Sequence, residues 1–292
     1  MPKSNITGLV DTHSHLFWDT FKEDYDETIS RAVEAGVRTA INVGVDVEIS
    51  RVAAGLESNN PEMKFYSSIG IHPHEAYRYR DTEYEIGDKL VSDIAALEEI
   101  YNSNPGKVIG VGECGLDSLF NPKYAPDGES MEELMELQRK LFRAQIKLAK
   151  KLDLPILIHC RDDRGKNPEN SQCWREALEM TSDHYGILHC YSGLMPTTLK
   201  ALDTKFLFSF AGNLTYPRND YLKEAVKVIP LSRIVLETDC PFLPPQSIRG
   251  KRNEPSSVKE IAEFIAGIKG VTFDEVARQT TENFLRLFKL QS

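Results

Sequence analysis

A chain of 292 residues with 41% hydrophobic and 27% charged side chains has room for a large core and is too apolar to be disordered. Its 35 Lys and Arg against 44 Asp and Glu leave a formal charge of −9, which excludes loose, field-driven attachment to polyanions; any phosphate contact must bring its own local positive charge. No apolar run approaches the roughly 20 residues of a membrane span, and the opening residues Met1 to Ile6 lack the apolar core of an export signal, so the expected compartment is cytoplasmic, or nuclear in a eukaryote. Five cysteines without a CxxC pair fit free thiols in a reducing compartment.

In chain order, short apolar runs predict strands at 8–12, 39–43, 65–71 and 108–112, then at 155–158, 185–188, 206–210 and 234–236. Each is bounded by turn or polar residues and most are rich in Val, Ile or Leu, the pattern of parallel strands covered on both faces. Amphipathic stretches separate them. Before the fifth strand, Leu134, Leu137, Leu141, Leu148 and Leu152 recur at helical spacings and mark one buried face. After the eighth, Thr272 and Glu275 have capping-box spacing and open a last helix through Val276, Phe284, Leu287 and Phe288. Strands alternating with helices in this way predict a single-domain (β/α)8 TIM barrel over residues 1–292, and a monomer, because a closed barrel buries its core without a partner.

The polar residues fall at the ends of these strands. Asp11, His13 and His15 end the first, His72 and His74 follow the third, and Glu113 ends the fourth. His159 ends the fifth, His189 the sixth, and Glu237 and Asp239 the eighth. In a barrel those ends converge on one face, where active sites sit. His13 and His15 are two apart in extended chain, so their imidazoles point the same way and can grip one ion. With His159, His189, Glu113 and Asp239 the mouth offers four nitrogens and two carboxylates, enough for two divalent ions if one carboxylate bridges them. His184 precedes its strand and is expected at the opposite face. Cys114, Cys160, Cys190 and Cys240 each directly follow a candidate ligand, so strand alternation turns them outward as packing residues rather than zinc ligands.

These residues resemble the TatD-type deoxyribonuclease family of amidohydrolase-like metal hydrolases. The matching segments are 11–16 (DTHSHL), 70–74 (GIHPH), 112–117 (GECGLD), 158–162 (IHCRD), 189–193 (HCYSG), 237–243 (ETDCPFL) and 250–255 (GKRNEP), with Gln138, Phe142, Gln145 and Leu148 on the helix before the fifth strand. The resemblance implies a metal-dependent nuclease on a (β/α)8 barrel, typically a 3′→5′ exonuclease preferring single-stranded DNA. It implies His13, His15 and Asp239 on one ion, His159 and His189 on the second, and Glu113 between them. A water activated by both ions attacks phosphorus in that scheme, with Asp239 orienting it or accepting its proton and Glu113 as the other catalytic carboxylate. Imidazoles favour zinc or manganese, whereas magnesium prefers oxygen, so the element stays open among the three.

His72, Arg161 and Arg252, the last beside Lys251, are the expected phosphate contacts, and Trp18 and Tyr191 are candidates for stacking bases. Two departures bear on the substrate: a long acidic segment between Asp117 and Gln138, carrying Asp127, Glu129, Glu132 and Glu133, and Phe17-Trp18-Asp19 where the family places an aspartate sooner. The competing readings are a hydrolase of a small amide, ester or lactone, and a silent barrel that only binds.

Overall fold

Eight strands form where the apolar runs predict them: β1 (Leu9–Ser14), β2 (Val37–Val43), β3 (Lys64–Ile69), β4 (Val108–Asp117), β5 (Ile156–Arg161), β6 (Tyr185–Leu188), β7 (Lys205–Phe210) and β8 (Ile234–Leu236). The computed structural model describes residues 8–80, 87–119, 130–163, 169 and 171–290. The strands pair in the order β1 to β8, each parallel to the next. Helices alternate with them: α1 (Tyr25–Glu34), α2 (Val47–Gly55), α3 (Asp88–Ser103), α4 (Met131–Leu152), α5 (Gln172–Met180), α6 (Met195–Leu202) and α7 (Asp220–Val228), with α8 (Val258–Lys269) and α9 (Phe273–Leu287) after β8. A parallel bridge between Ser14 and Cys240 brings the two outer strands together and makes the sheet a TIM barrel.

Strand alternation sorts the apolar side chains into two layers. Val10, Ile41, Tyr66, Ile109, Leu157, Ile187, Leu207 and Val235, one from each strand, fill the barrel, and Phe284, Leu287 and Phe288 of α9 join that cluster. A larger layer, including Leu9, Val37, Phe65, Val111, Ile158, Phe206 and Phe208, lies with helix residues such as Ile29, Leu97 and Leu141. The Leu stripe of α4 faces inward as its spacing predicts, and Thr272 caps α9 by accepting from the Glu275 amide at 3.2 Å.

Three strands outrun their apolar cores. β1 continues to Ser14, β4 to Asp117 and β5 to Arg161, because the backbone ladder persists where the side chains turn polar: Gly115 pairs with His159 and Asp117 with Arg161. The same region is stitched to α4 by two glutamines. Gln145 accepts from the Ile71 amide at 2.7 Å and donates to the Ile71 carbonyl at 2.8 Å. Gln138 does the same to Asp117, at 2.7 and 3.0 Å. Each primary amide completes a strand-like pair of bonds that would otherwise stay buried and unmet.

Of the acidic segment, Asp127 and Glu129 lie outside the described residues. Glu132 and Glu133 sit in the first turn of α4, where negative charge favours a helix start. Glu133 closes a capping box with Ser130, so these two serve the helix rather than the mouth. Cys114, Cys160 and Cys240 pack in the outer layer as alternation predicts. Cys190 does not: β6 stops at Leu188, alternation ends with it, and Cys190 turns with φ 42° towards the mouth, its Sγ accepting from Asn213 Nδ2 at 3.4 Å. His184 lies before β6, at the opposite end, bonded through Nε2 to the Leu154 carbonyl at 3.0 Å. No helix among the described residues is long and apolar enough to cross a membrane.

Candidate metal centre

Two irregularities aim the site. Between Asp11 and Ser14 β1 advances three residues while β2 advances two, from Ala40 to Asn42. Val10 and Thr12 face the interior below this point, so the extra residue switches the alternation and sends His13 and His15 inward above it. β4 does the same between Val111 and Cys114 against Ile156 and Ile158, which turns Glu113 into the mouth. Gly112 makes this possible: its φ is +137°, and a Cβ there would meet the Leu157 carbonyl oxygen at 2.4 Å.

Glu113 stands at the centre. Its Oε2 lies 3.3 Å from His13 Nε2, and its Oε1 lies 2.6 Å from His159 Nδ1, 3.5 Å from His189 Nε2 and 3.6 Å from His72 Nε2. Burial works against its charge, yet the imidazoles of His189, His13 and His72 outweigh burial and hold the carboxyl well below the usual range. Asp239 Oδ1 approaches His15 Nε2 at 3.5 Å, His13 Nε2 at 3.8 Å and His189 Nε2 at 4.0 Å. Its pKa is likewise lowered, burial being overcome by His15, His189 and His13.

Supporting bonds choose which ring nitrogen faces inward. His15 Nδ1 donates to the Val43 carbonyl at 3.1 Å, leaving Nε2 for the mouth. His189 Nδ1 lies 3.0 Å from Glu237, which also accepts from the Cys190 amide at 2.7 Å. Burial opposes a proton on His189, and Glu237, Glu113 and Asp239 overcome it, pushing its pKa up to about 10. His159 spans Glu113 and Asp117 and is pushed up to about 9, against burial, by those two carboxylates. Asp11 accepts from the amides of His13 and Thr238 and from the Thr238 hydroxyl, which ties β1 to the end of β8; burial pushes its carboxyl up to about 8.

All six expected ligands thus meet in one mouth, joined by His72. Among the described residues three groups have donor atoms within 4.8 Å of one another: His13, His15 and Glu113; His13, His189 and Asp239; and His72, Glu113 and His159. The His189 ring stacks on His13 at 3.5 Å, whereas His159 leans towards His72, with 3.3 Å between ring nitrogens. His13 is fully buried, and neither ring nitrogen has a hydrogen-bond partner. Such an orphan is costly unless something else satisfies it, and a cation at Nε2, the nitrogen that faces Glu113 and Asp239, would satisfy that atom. The residues fit divalent ions.

Other expectations resolve differently. Arg161 does line the mouth, gripping Asp117 through Nε at 3.0 Å and Nη2 at 2.8 Å while half its side chain faces solvent. Asp117, unmarked as a site residue in the sequence, also meets His74 at 2.9 Å and His159 at 3.0 Å. Its polar character two and four residues along the strand from Gly115 and Glu113 is the signal that finds it. Tyr191 is buried between Trp174 and Phe208, its hydroxyl on Thr198, and cannot stack a base. Trp18 lines the mouth.

Arg252 does not line the cavity. Its guanidinium donates to both oxygens of Asp24, at 2.7 and 2.6 Å, and to the Thr20 carbonyl, and it lies 4.5 Å over the Phe21 ring. It braces the turn after β1. Arg252 first, and then Arg31, hold Asp24 below the usual carboxylate range. This stabilisation is full above the unfolded value near pH 4 and fades as pH falls below it. Arg252→Met is expected to cost about 1 kcal/mol at pH 7, small because Asp24 is more than a third exposed, or about 2 °C in melting temperature. Urea melts at pH 7 and pH 3 check it: the gap to the parent should narrow at pH 3, and a variant as stable as the parent at pH 7 sinks the brace.

The cavity over these groups measures about 710 Å³ and takes in Trp18, His72, Arg161, Asn213 and Phe242 besides the candidate ligands. Comparison with known proteins agrees with this geometry. A family described as TatD related DNase matches residues 10–289. The chain is 38% identical to an uncharacterised metal-dependent hydrolase, YabD, of Bacillus subtilis (strain 168), over 97% of this chain and 99% of that one. It is 30% identical to the 3′-5′ ssDNA/RNA exonuclease TatD of Erwinia tasmaniensis, over 97% and 100%. The crystal structure of YjjV, a TatD homologue from Escherichia coli K12, superposes with a TM-score of 0.77 at 24% identity, covering 97% of this chain and 98% of that one, and shares the fold. A barrel with this donor set, matched from strand β1 to the end of α9, belongs to the TatD-related DNase family of metal-dependent hydrolases.

Proposed function

We propose that the protein is a metal-dependent nuclease that hydrolyses phosphodiester bonds of nucleic acid, single-stranded DNA first among them, from the 3′ end. The observation that carries this reading is the buried His13 Nε2, without a hydrogen-bond partner and facing two carboxylates among four further imidazoles, in a chain 30% identical to a relative named as a 3′-5′ ssDNA/RNA exonuclease. His13, His15 and Asp239 would hold one divalent ion and His159 and His189 a second, with Glu113 between them, its two oxygens facing different imidazoles. Magnesium, manganese or zinc bound there would supply Lewis acidity toward water and positive charge toward a phosphodiester.

The protein's own groups do the rest. Asp239, held ionised, accepts the proton of the attacking water. Arg161, fixed by Asp117, presents its exposed guanidinium to a neighbouring phosphate, and His72 lies within reach of the reacting one. Local charge at the mouth thus offsets the acidic surface, since distant exposed charge is screened beyond about 8 Å at physiological salt. The same reading has the enzyme acting as a monomer in the cytoplasm, where its free thiols stay reduced.

The test is digestion of a 5′-labelled single-stranded oligonucleotide with magnesium, manganese or zinc. A ladder shortening from the 3′ end and abolished by EDTA is expected. Metal-loaded protein that leaves the strand intact but opens a small ester or lactone overturns the proposal.

A further inference from the structure

Among the described residues the large hydrophobic side chains left exposed include two aromatics, Trp18 at 42% and Phe242 at 48%, and both line the cavity over the candidate metal centre. Their placement follows one rule. Trp18 is three residues beyond His15 and its amide donates to the His15 carbonyl at 3.2 Å; Phe242 is three residues beyond Asp239 and its amide donates to the Asp239 carbonyl at 2.9 Å. Each ring is therefore one turn from a candidate ligand. Because the His15 amide bonds the Cys240 carbonyl across the seam of the barrel, the rings meet, 6.0 Å apart and nearly perpendicular.

This corner is held stiffly. Phe17 stacks on Trp18 at 6.3 Å, and Asn253 Nδ2 donates to the Phe242 carbonyl at 2.7 Å. Exposed aromatics held rigid beside a polar centre are unfavourable to leave wet and lose little entropy on binding a flat partner. Across the mouth, on β5, stands Arg161, four strands away from β1 in a barrel of eight. The cavity thus has an aromatic side and a cationic side with the candidate metal ligands between them.

Building on the nuclease reading, we propose that the Trp18–Phe242 corner is a base-stacking subsite that seats the terminal base of the strand while Arg161 takes a phosphate on the other side. The enzyme then senses the presence of a base at the end it degrades. Stacking is indifferent to base identity, since every base has a π-face.

Two oligonucleotides of one sequence test this, one with 2′-deoxyadenosine at its 3′ end and one with a tetrahydrofuran abasic residue there. The parent enzyme is expected to cut the first with about tenfold higher kcat/KM, about 1.4 kcal/mol. Trp18→Ala should bring that ratio close to one, Phe242→Ala should lower it part of the way, and Trp18→Phe should keep most of it. A parent ratio near one, or a ratio that Trp18→Ala leaves intact, overturns the proposal. If neither strand is cut, the nuclease reading fails, and fluorescence decides the subsite separately. The chain has two tryptophans, Trp18 exposed and Trp174 buried. Deoxyadenosine monophosphate should quench the parent and not Trp18→Ala, while deoxyribose 5-phosphate quenches neither; no quenching of the parent rejects stacking.

Discussion

Asp239→Asn is expected to lower turnover by about a thousandfold, with the fold intact. The carboxylate faces three imidazoles and carries no proton at neutral pH, so an oxygen is open to the proton of a water beside the reacting centre. An amide of the same shape cannot take that proton, and positioned acid–base groups contribute about a hundred- to ten-thousandfold. Asn also suits the backbone, because residue 239 has φ 58°, a conformation Asn tolerates better than most. Single-turnover cleavage and the metal content of the purified variant should be measured together. Lost turnover with metal retained assigns the proton to Asp239. Lost turnover with lost metal makes it a ligand first, and near-parental activity removes it from the chemistry.

Glu113→Gln should act on the ions themselves. Each oxygen of Glu113 faces a different set of nitrogens, Oε2 towards His13 and Oε1 towards His159, His189 and His72. A neutral amide at that centre removes the charge both sites share and turns a hydrogen-bond donor towards one of them. The expected result is fewer than two ions per chain by elemental analysis, and a fall in activity on the order of ten thousandfold that raising the metal concentration repairs only in part. Two tightly held ions in the variant would show that the carboxylate does not bridge.

The barrel was legible because its signal repeats: eight apolar runs, each followed by a helical pattern, admit few other arrangements. The ligands were legible because polar residues at strand ends stand out against Val, Ile and Leu. What local reading could not reach were partners distant in sequence. Arg252 beside Lys251 reads as a phosphate clamp, and only the fold brings its guanidinium onto Asp24, 228 positions away. Tyr191 reads as a mouth residue because it follows His189, yet the chain has left β6 by then and the ring turns into the core. Asp117 and Glu237 bond candidate ligands from behind, and that contact exists only once β4 meets β5 and β6 approaches β8.

The glutamine bonds of α4 have a consequence for how this enzyme can diversify. Asp117 is pinned by Gln138 and Ile71 by Gln145, so helix and strand ends are joined directly, whatever connects them. The connection from Leu119 to Ser130 starts from an amide held by Asp117 and ends in a capping box, so both its ends are anchored on their own. Lengthening such a connection is cheap, about 0.6 kcal/mol for each doubling of its length. A change in the length or charge of this stretch is thus expected to leave the centre where it is.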